Sequence, residues 1–169
     1  MMNAIPMRVT LTEADHIVIS QAMTQAMELD GVFITDFRDG AIPLSAQSMR
    51  KLRTVIGWQK TRVAVMARLT HAGDLAAEHA TARIAVDLAR DEARAIVHAV
   101  LASVDFDDDR IAGAFADLGE GARDAPGSEA MKVRDFLARR NAARLASLRK
   151  LYTAAGIEFT STSMSSLPP

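Results

Sequence analysis

An all-α fold, an antiparallel bundle of about four main helices with one additional short acidic helix, is what this sequence predicts. Three observations carry that expectation. The 169 residues are 49 % hydrophobic and 24 % charged, a globular balance for one domain with a sizeable core. Aromatic residues make up only 5 % while alanine is plentiful, which favours closely packed helices over a β-sandwich. Apolar side chains also recur at helical spacing through several long segments.

The first helix is expected to start at Thr10-Leu11-Thr12-Glu13, where hydroxyl and carboxylate have the spacing of a capping box. Leu11, Val18, Ala22, Ala26 and Leu29 then share one face, and Asp30-Gly31 reads as the stop. Residues 32–43 read as a β-hairpin or an irregular loop. A lone hairpin is marginally stable, so a loop or short helical turn is preferred. Ser45 is the expected N-cap of a second helix to about Thr70, with Met49, Leu52, Val55, Ile56, Trp58, Val63, Met66 and Leu69 on a broad apolar arc. Gly73 and Asp74 suit a C-cap and a fresh N-cap. A third helix, about residues 75–104, carries two apolar stripes separated by Glu78 and Glu92, as for a helix with neighbours on both sides. Asp105, Asp107, Asp108 and Asp109 precede a short helix at Ile111–Phe115, with acids at its positive end. A loop over 119–127 leads to a last helix, capped by Ser128 and closed near Gly156. Residues 1–159 are thus expected to form one domain, followed by a disordered Ser/Thr-rich tail at 160–169.

Net charge is −1, but it is not spread evenly. Residues 41–73 hold Arg50, Lys51, Arg53, Lys60, Arg62 and Arg68 and no acid. Residues 130–150 hold Lys132, Arg134, Arg139, Arg140, Arg144, Arg149 and Lys150 against Asp135 alone. The intervening 105–129 is strongly acidic. Mutual neutralisation within the bundle or across a dimer is the simpler reading. The alternative is a cationic surface for nucleic acid, with Arg50, Arg53, Lys60 and Arg68 joined to Lys132, Arg139 and Lys150. Scarce aromatics and the lack of a helix-turn-helix or RNA-binding signature weigh against it.

Lys51 and Arg62 interrupt the apolar arc of the second helix, as Glu78 and Glu92 interrupt the stripes of the third. A hairpin folded at Gly73 would bring Lys51 towards Glu92 and Arg62 towards Glu78; an unbroken helix would leave such pairs only between chains.

Signals of chemistry are weak. Glu13-x-x-His16 has the spacing of a di-iron ligand pair, but no second copy exists. Asp87, Asp91, Arg94 and His98 align at helical spacing, yet arginines among them would repel a cation, so an exposed ion-pair ladder is expected. Asp107–Asp109 lack the glycine and glutamate of a calcium loop. His71 and His79 read as surface residues, and Met23, Met27, Met49 and Met66 as core filler. Phosphate-loop, dinucleotide-fold, nucleophile-elbow and zinc-protease motifs are missing, and no cysteine is present for disulfides or thiolate chemistry. No catalytic residue, cofactor or metal ligand is therefore assigned. There is no apolar run of membrane length and no basic-then-apolar leader, so a cytoplasmic location is expected.

The function expected on these grounds is a non-catalytic regulatory, adaptor or scaffold protein acting through its helical surface, as a homodimer or with a protein partner. A nucleic-acid binder using basic helices 45–70 and 129–155 is one alternative. A small-ligand or metal-binding bundle with polar groups converging near Glu92 is the other.

Overall fold

A computed structural model describes residues 7–116 and 127–154. Among these, the order is β1 (Met7–Thr12), α1 (Glu13–Arg38), α2 (Ala46–Glu78), β2 (Arg83–Leu88), α3 (Arg90–Ala116) and α4 (Glu129–Ala154). The expected all-α bundle is present, with an antiparallel two-stranded ribbon added at one end.

That ribbon corrects the sequence reading at both strands. Val9 and Leu11 of β1 and Ile84, Val86 and Leu88 of β2 turn inward, while Arg8, Thr10, Arg83, Ala85 and Asp87 turn outward. The alternation has period two, and read as a helix it produced two stripes where a strand has one buried face. Residues 75–104 are therefore not one helix: α2 ends at Glu78, Ala80 takes a positive φ of 52° in the turn, and α3 begins only at Arg90.

The cap of α1 moves for the same reason. Thr10 pairs with Ala85 in the ribbon, and the capping box is Thr12 with Asp15, two residues beyond the expected Thr10–Glu13 box. Ser45 caps α2 as expected, its hydroxyl accepting from the Ser48 amide at 3.0 Å. The Ser128 hydroxyl accepts from the Met131 amide at 3.3 Å at the start of α4.

Neither expected glycine stop acts as one. α1 runs through Asp30-Gly31 to Arg38, so residues 32–38 are helix, not loop. α2 runs unbroken through Gly73-Asp74. A glycine inside a helix costs about 1 kcal/mol, which packing against a neighbouring helix readily offsets. The acids Asp105–Asp109 lie within α3, so the separate acidic helix is the far end of a longer one. The expected loop falls mostly, and the tail wholly, outside the described residues.

α1 and α3 form the middle of the bundle. Each packs against the other and against both α2 and α4, which lie on opposite flanks without comparable packing between them. The continuous core joins Val9, Leu11, Ile19, Met23, Val65, Leu69, Ile84, Val86, Leu88, Ile96, Val100, Leu148 and Leu151, drawn from all six elements. Met23 is fully buried and Met66 packs at the core edge, but Met49 is exposed on α2.

Candidate functional site

From Met27 to Thr61 the chain contains no buried residue. The distal half of α1, the 39–45 turn and the first half of α2 form an antiparallel helical hairpin, here called the arm, that contributes nothing to the closed core. Its residues are nevertheless rich in apolar side chains. Leu44 at the turn is 81 % exposed and Val32 of α1 58 %. Met49, Ile56 and Val63 are also exposed, and they recur every seven residues along α2. The half-buried Leu52 and Met66, three residues after the first and third of these, complete an a/d stripe broken only by Gln59. The exposed Arg53 and Lys60 flank the stripe, again seven residues apart.

Where α1 and α2 face each other along the arm and at its base, two polar contacts replace core packing. Arg62, buried on α2, donates to the Asp30 carboxylate of α1. Burial pushes the Asp30 carboxyl up, and the facing guanidinium pulls against that shift. Arg62 Nε is buried without a hydrogen-bond partner among the described residues. Lys51 Nζ lies 4.7 Å from the centroid of the Phe33 ring. Trp58, expected on the apolar arc, is half-buried against His98 of α3, with ring centroids 4.5 Å apart.

These contacts answer the question of the interrupted arcs. With α2 continuous through Gly73 there is no fold-back, and Glu78 lies on the same helix as Arg62. Arg62 takes Asp30, Lys51 takes the Phe33 ring, and Glu92 accepts from Arg68 at 2.9 Å. Glu92 also accepts from the Ala89 amide at 2.8 Å and so caps α3.

The seven bases considered as one cationic surface are divided between the two flanks. Arg50, Arg53, Lys60 and Arg68 lie on α2, whereas Lys132, Arg139 and Lys150 lie on α4. Lys150 is drawn to Asp15, with Nζ 2.9 and 3.0 Å from its carboxylate oxygens, and Lys132 pairs with Glu129 at 3.5 Å. Arg139 donates to the Asp135 carbonyl at 3.1 Å.

A second polar cluster, not anticipated from the sequence, joins α3 to α4. Asp107 is fully buried and receives Arg140 Nε at 2.7 Å and Arg144 Nη1 at 2.7 Å. Arg144 also donates to Gln25 of α1 at 2.6 Å, and Asn141 donates to Asp108 at 2.9 Å. The acidic and basic blocks thus neutralise each other in part inside the bundle. All of these groups have partners, which suits a structural register device more than a reactive centre.

A groove of about 490 Å³ runs between α2 and the ribbon, lined by Arg68, His71, Ala72, Leu75, Ala76 and His79 on one side and Arg8, Arg83, Ala85 and Asp87 on the other. His16, considered as a metal ligand with Glu13, instead donates from Nε2 to the Leu69 carbonyl at 2.9 Å. Asp87 lies on β2, so the expected ladder with Asp91, Arg94 and His98 is not one helix face. Among the described residues no three His, Asp or Glu side chains are grouped to hold a metal ion, and no helix is long and apolar enough to cross a membrane. Comparison of the chain with protein-family models, curated proteins and solved structures finds no match.

Proposed function

We propose that this chain is a non-catalytic adaptor or scaffold protein of the cytoplasm, and that it works as a homodimer joined through its arm. The observation that carries the reading is the seven-residue stripe of Met49, Ile56 and Val63, whose first two members lie on a hairpin with no buried residue and whose third lies just beyond it. Large apolar side chains at coiled-coil spacing are stabilised by a second helical surface. Charge favours a copy of the same chain as that surface. The α2 side of the arm carries Arg50, Arg53 and Lys60 with no acid, while the α1 side carries Glu28 and Asp36, its Arg38 being paired with Asp39 of the turn. A two-fold axis would set each α2 against the other protomer's α1, turning two hairpins into a four-helix bundle with opposite charges facing.

Sedimentation equilibrium of the full chain tests this. A dimer is expected across the micromolar range. Ile56→Glu is expected to give a monomer of unchanged helical content, because Ile56 contributes nothing to the closed core. Lys60→Glu is expected to weaken the dimer, with partial recovery on adding Glu28→Lys. A wild-type chain that stays monomeric, or an Ile56→Glu chain that dimerises as strongly as wild type, would overturn the reading.

A further inference from the structure

The groove between α2 and β2 lies at the other end of α2 from the arm and stands independently of it. Among the described residues the ribbon has two strands, so each keeps one edge with no described strand beside it. α2 packs beside β2, and its Arg68 reaches the Asp87 carbonyl, so the free edge of β2 faces α2 across the groove. Such an edge presents a row of amide and carbonyl groups that will pair with another extended chain unless they are covered.

Here they are covered only by side chains. The Asp87 carbonyl accepts from Arg68 at 3.3 Å, and the Arg83 carbonyl accepts from the Thr81 hydroxyl at 3.2 Å. Backbone groups two residues apart point the same way along a strand, so the polar groups of Ala85, between these two, share that edge. The facing wall of α2 is lined by the small side chains of Ala72 and Ala76, with Leu75 beside them.

The charges of the groove indicate what kind of chain would enter. Arg8 and Arg83 have no ion-pair partner among the described residues, Arg68 is more than half exposed although it also bonds Glu92, and His71 and His79 complete the α2 rim. The one acid, Asp87, stands opposite Arg8 in the ribbon and has Arg68 bonded to its carbonyl. Arg83 and Asp87 are four residues apart, which places the two cationic ends roughly 13 Å from each other along an extended strand.

We propose that this groove binds an extended peptide bearing two acidic side chains four residues apart, which adds as a third strand to the free edge of β2. The backbone of the peptide would take the place of the Arg68 and Thr81 bonds to the edge carbonyls. Its acids would meet Arg83 and His79 at one end, and Arg68 with Arg8 at the other. An even spacing puts both acids on one face of the added strand.

The test uses the full chain and a labelled, end-blocked peptide of alternating threonine and valine with glutamate at the first and fifth positions, followed by fluorescence anisotropy. Saturable binding is expected, weakened about tenfold when both glutamates are replaced by lysine and about fivefold by Arg83→Glu. Arg83→Glu sits at an exposed strand position, so the fold is expected to persist. Methylating the peptide nitrogen opposite Ala85 leaves its charge intact but removes one edge hydrogen bond, and a loss of about fivefold is expected. Absence of binding overturns the proposal. So does equal binding of the methylated peptide, or equal competition by a helical glutamate-rich peptide or by inorganic polyphosphate, either of which marks an unspecific anionic attraction.

Discussion

The ring of His16 fills the space that a side chain at residue 73 would occupy. Its Cε1 lies 3.0 Å and its Nε2 3.2 Å from where a Cβ on Gly73 would stand, while Nε2 donates to the Leu69 carbonyl at 2.9 Å. This glycine is therefore a point of close approach between α1 and α2 rather than a helix stop. Gly31 and Gly57 also lie inside helices, but nothing comes within 4 Å of an added Cβ at either. Gly31→Ala and Gly57→Ala are expected to stabilise the fold by about 0.5–1 kcal/mol each, from helix propensity alone. Gly73→Ala is expected to gain nothing or to destabilise, because His16 must shift. In a His16→Ala background the same change should recover about 1 kcal/mol. Chemical denaturation of the four chains in this cycle measures the coupling.

Asp30 and Arg62 make a buried ion pair between α1 and α2. Removing one partner leaves the other charge buried, so Asp30→Ala is expected to cost about 3–5 kcal/mol. Replacing both with apolar residues of similar size, Asp30→Leu with Arg62→Met, is expected to be neutral or stabilising, since it also removes the partnerless Arg62 Nε. A double variant as unstable as the single one, in urea melts, would count against this account.

Much of the helical framework was legible in the sequence, because Ser45 and Ser128 are local signals followed by long periodic segments. The ribbon was not. Ile84-Ala-Val86-Asp-Leu88 alternates over a single short strand in an alanine-rich stretch, and such a run fits either period. Gly31 and Gly73 look like stops in the sequence because a glycine's tolerance inside a helix depends on what lies across from it. Lys51 and Arg62 were recognised as anomalies on an apolar face, but both of their partners lie on α1. The Asp107 cluster spans 33 and 37 residues to Arg140 and Arg144, a distance over which composition shows complementary blocks without showing which charges meet. The groove was hidden for a further reason: its walls are the end of α2 and a strand read as helix.

Asp15 predicts how the fold responds to acid. Burial raises its carboxyl, but hydrogen bonds from Thr12, Lys150 and Ser147 outweigh that and hold the pKa at about 2, against an ordinary 3.8. Between those values the unfolded chain binds more protons than the folded one. The contribution of Asp15 is thus fully present above the ordinary carboxylate range and is lost as the pH falls towards 2. Asp15→Asn is expected to lower stability at neutral pH by about 1–2 kcal/mol, since it weakens the α1 cap as well as the link to α4. The gap between variant and wild type should close on acidification, and a gap independent of pH down to 2 would contradict the assignment.

His98 titrates beside the only tryptophan in the chain, which makes its protonation directly observable. Burial lowers its pKa from the ordinary 6.5, and the nearby charges of Arg62 on α2 and Arg94 on α3 lower it further. A base depressed in this way is neutral in the fold at pH 7. Below 6.5 the unfolded chain takes up the proton first, so stability is full above that value and declines as the pH falls through the folded pKa. Protonation also places a cation against the face of Trp58, so tryptophan emission should change with a midpoint below 6.5. His98→Phe is expected to abolish that transition while keeping the ring contact. Arg94→Gln is expected to move the midpoint upward, because it removes one of the two cations that disfavour the charged imidazole. A wild-type midpoint at or above 6.5, or one unmoved by Arg94→Gln, would show that His98 does not feel these charges.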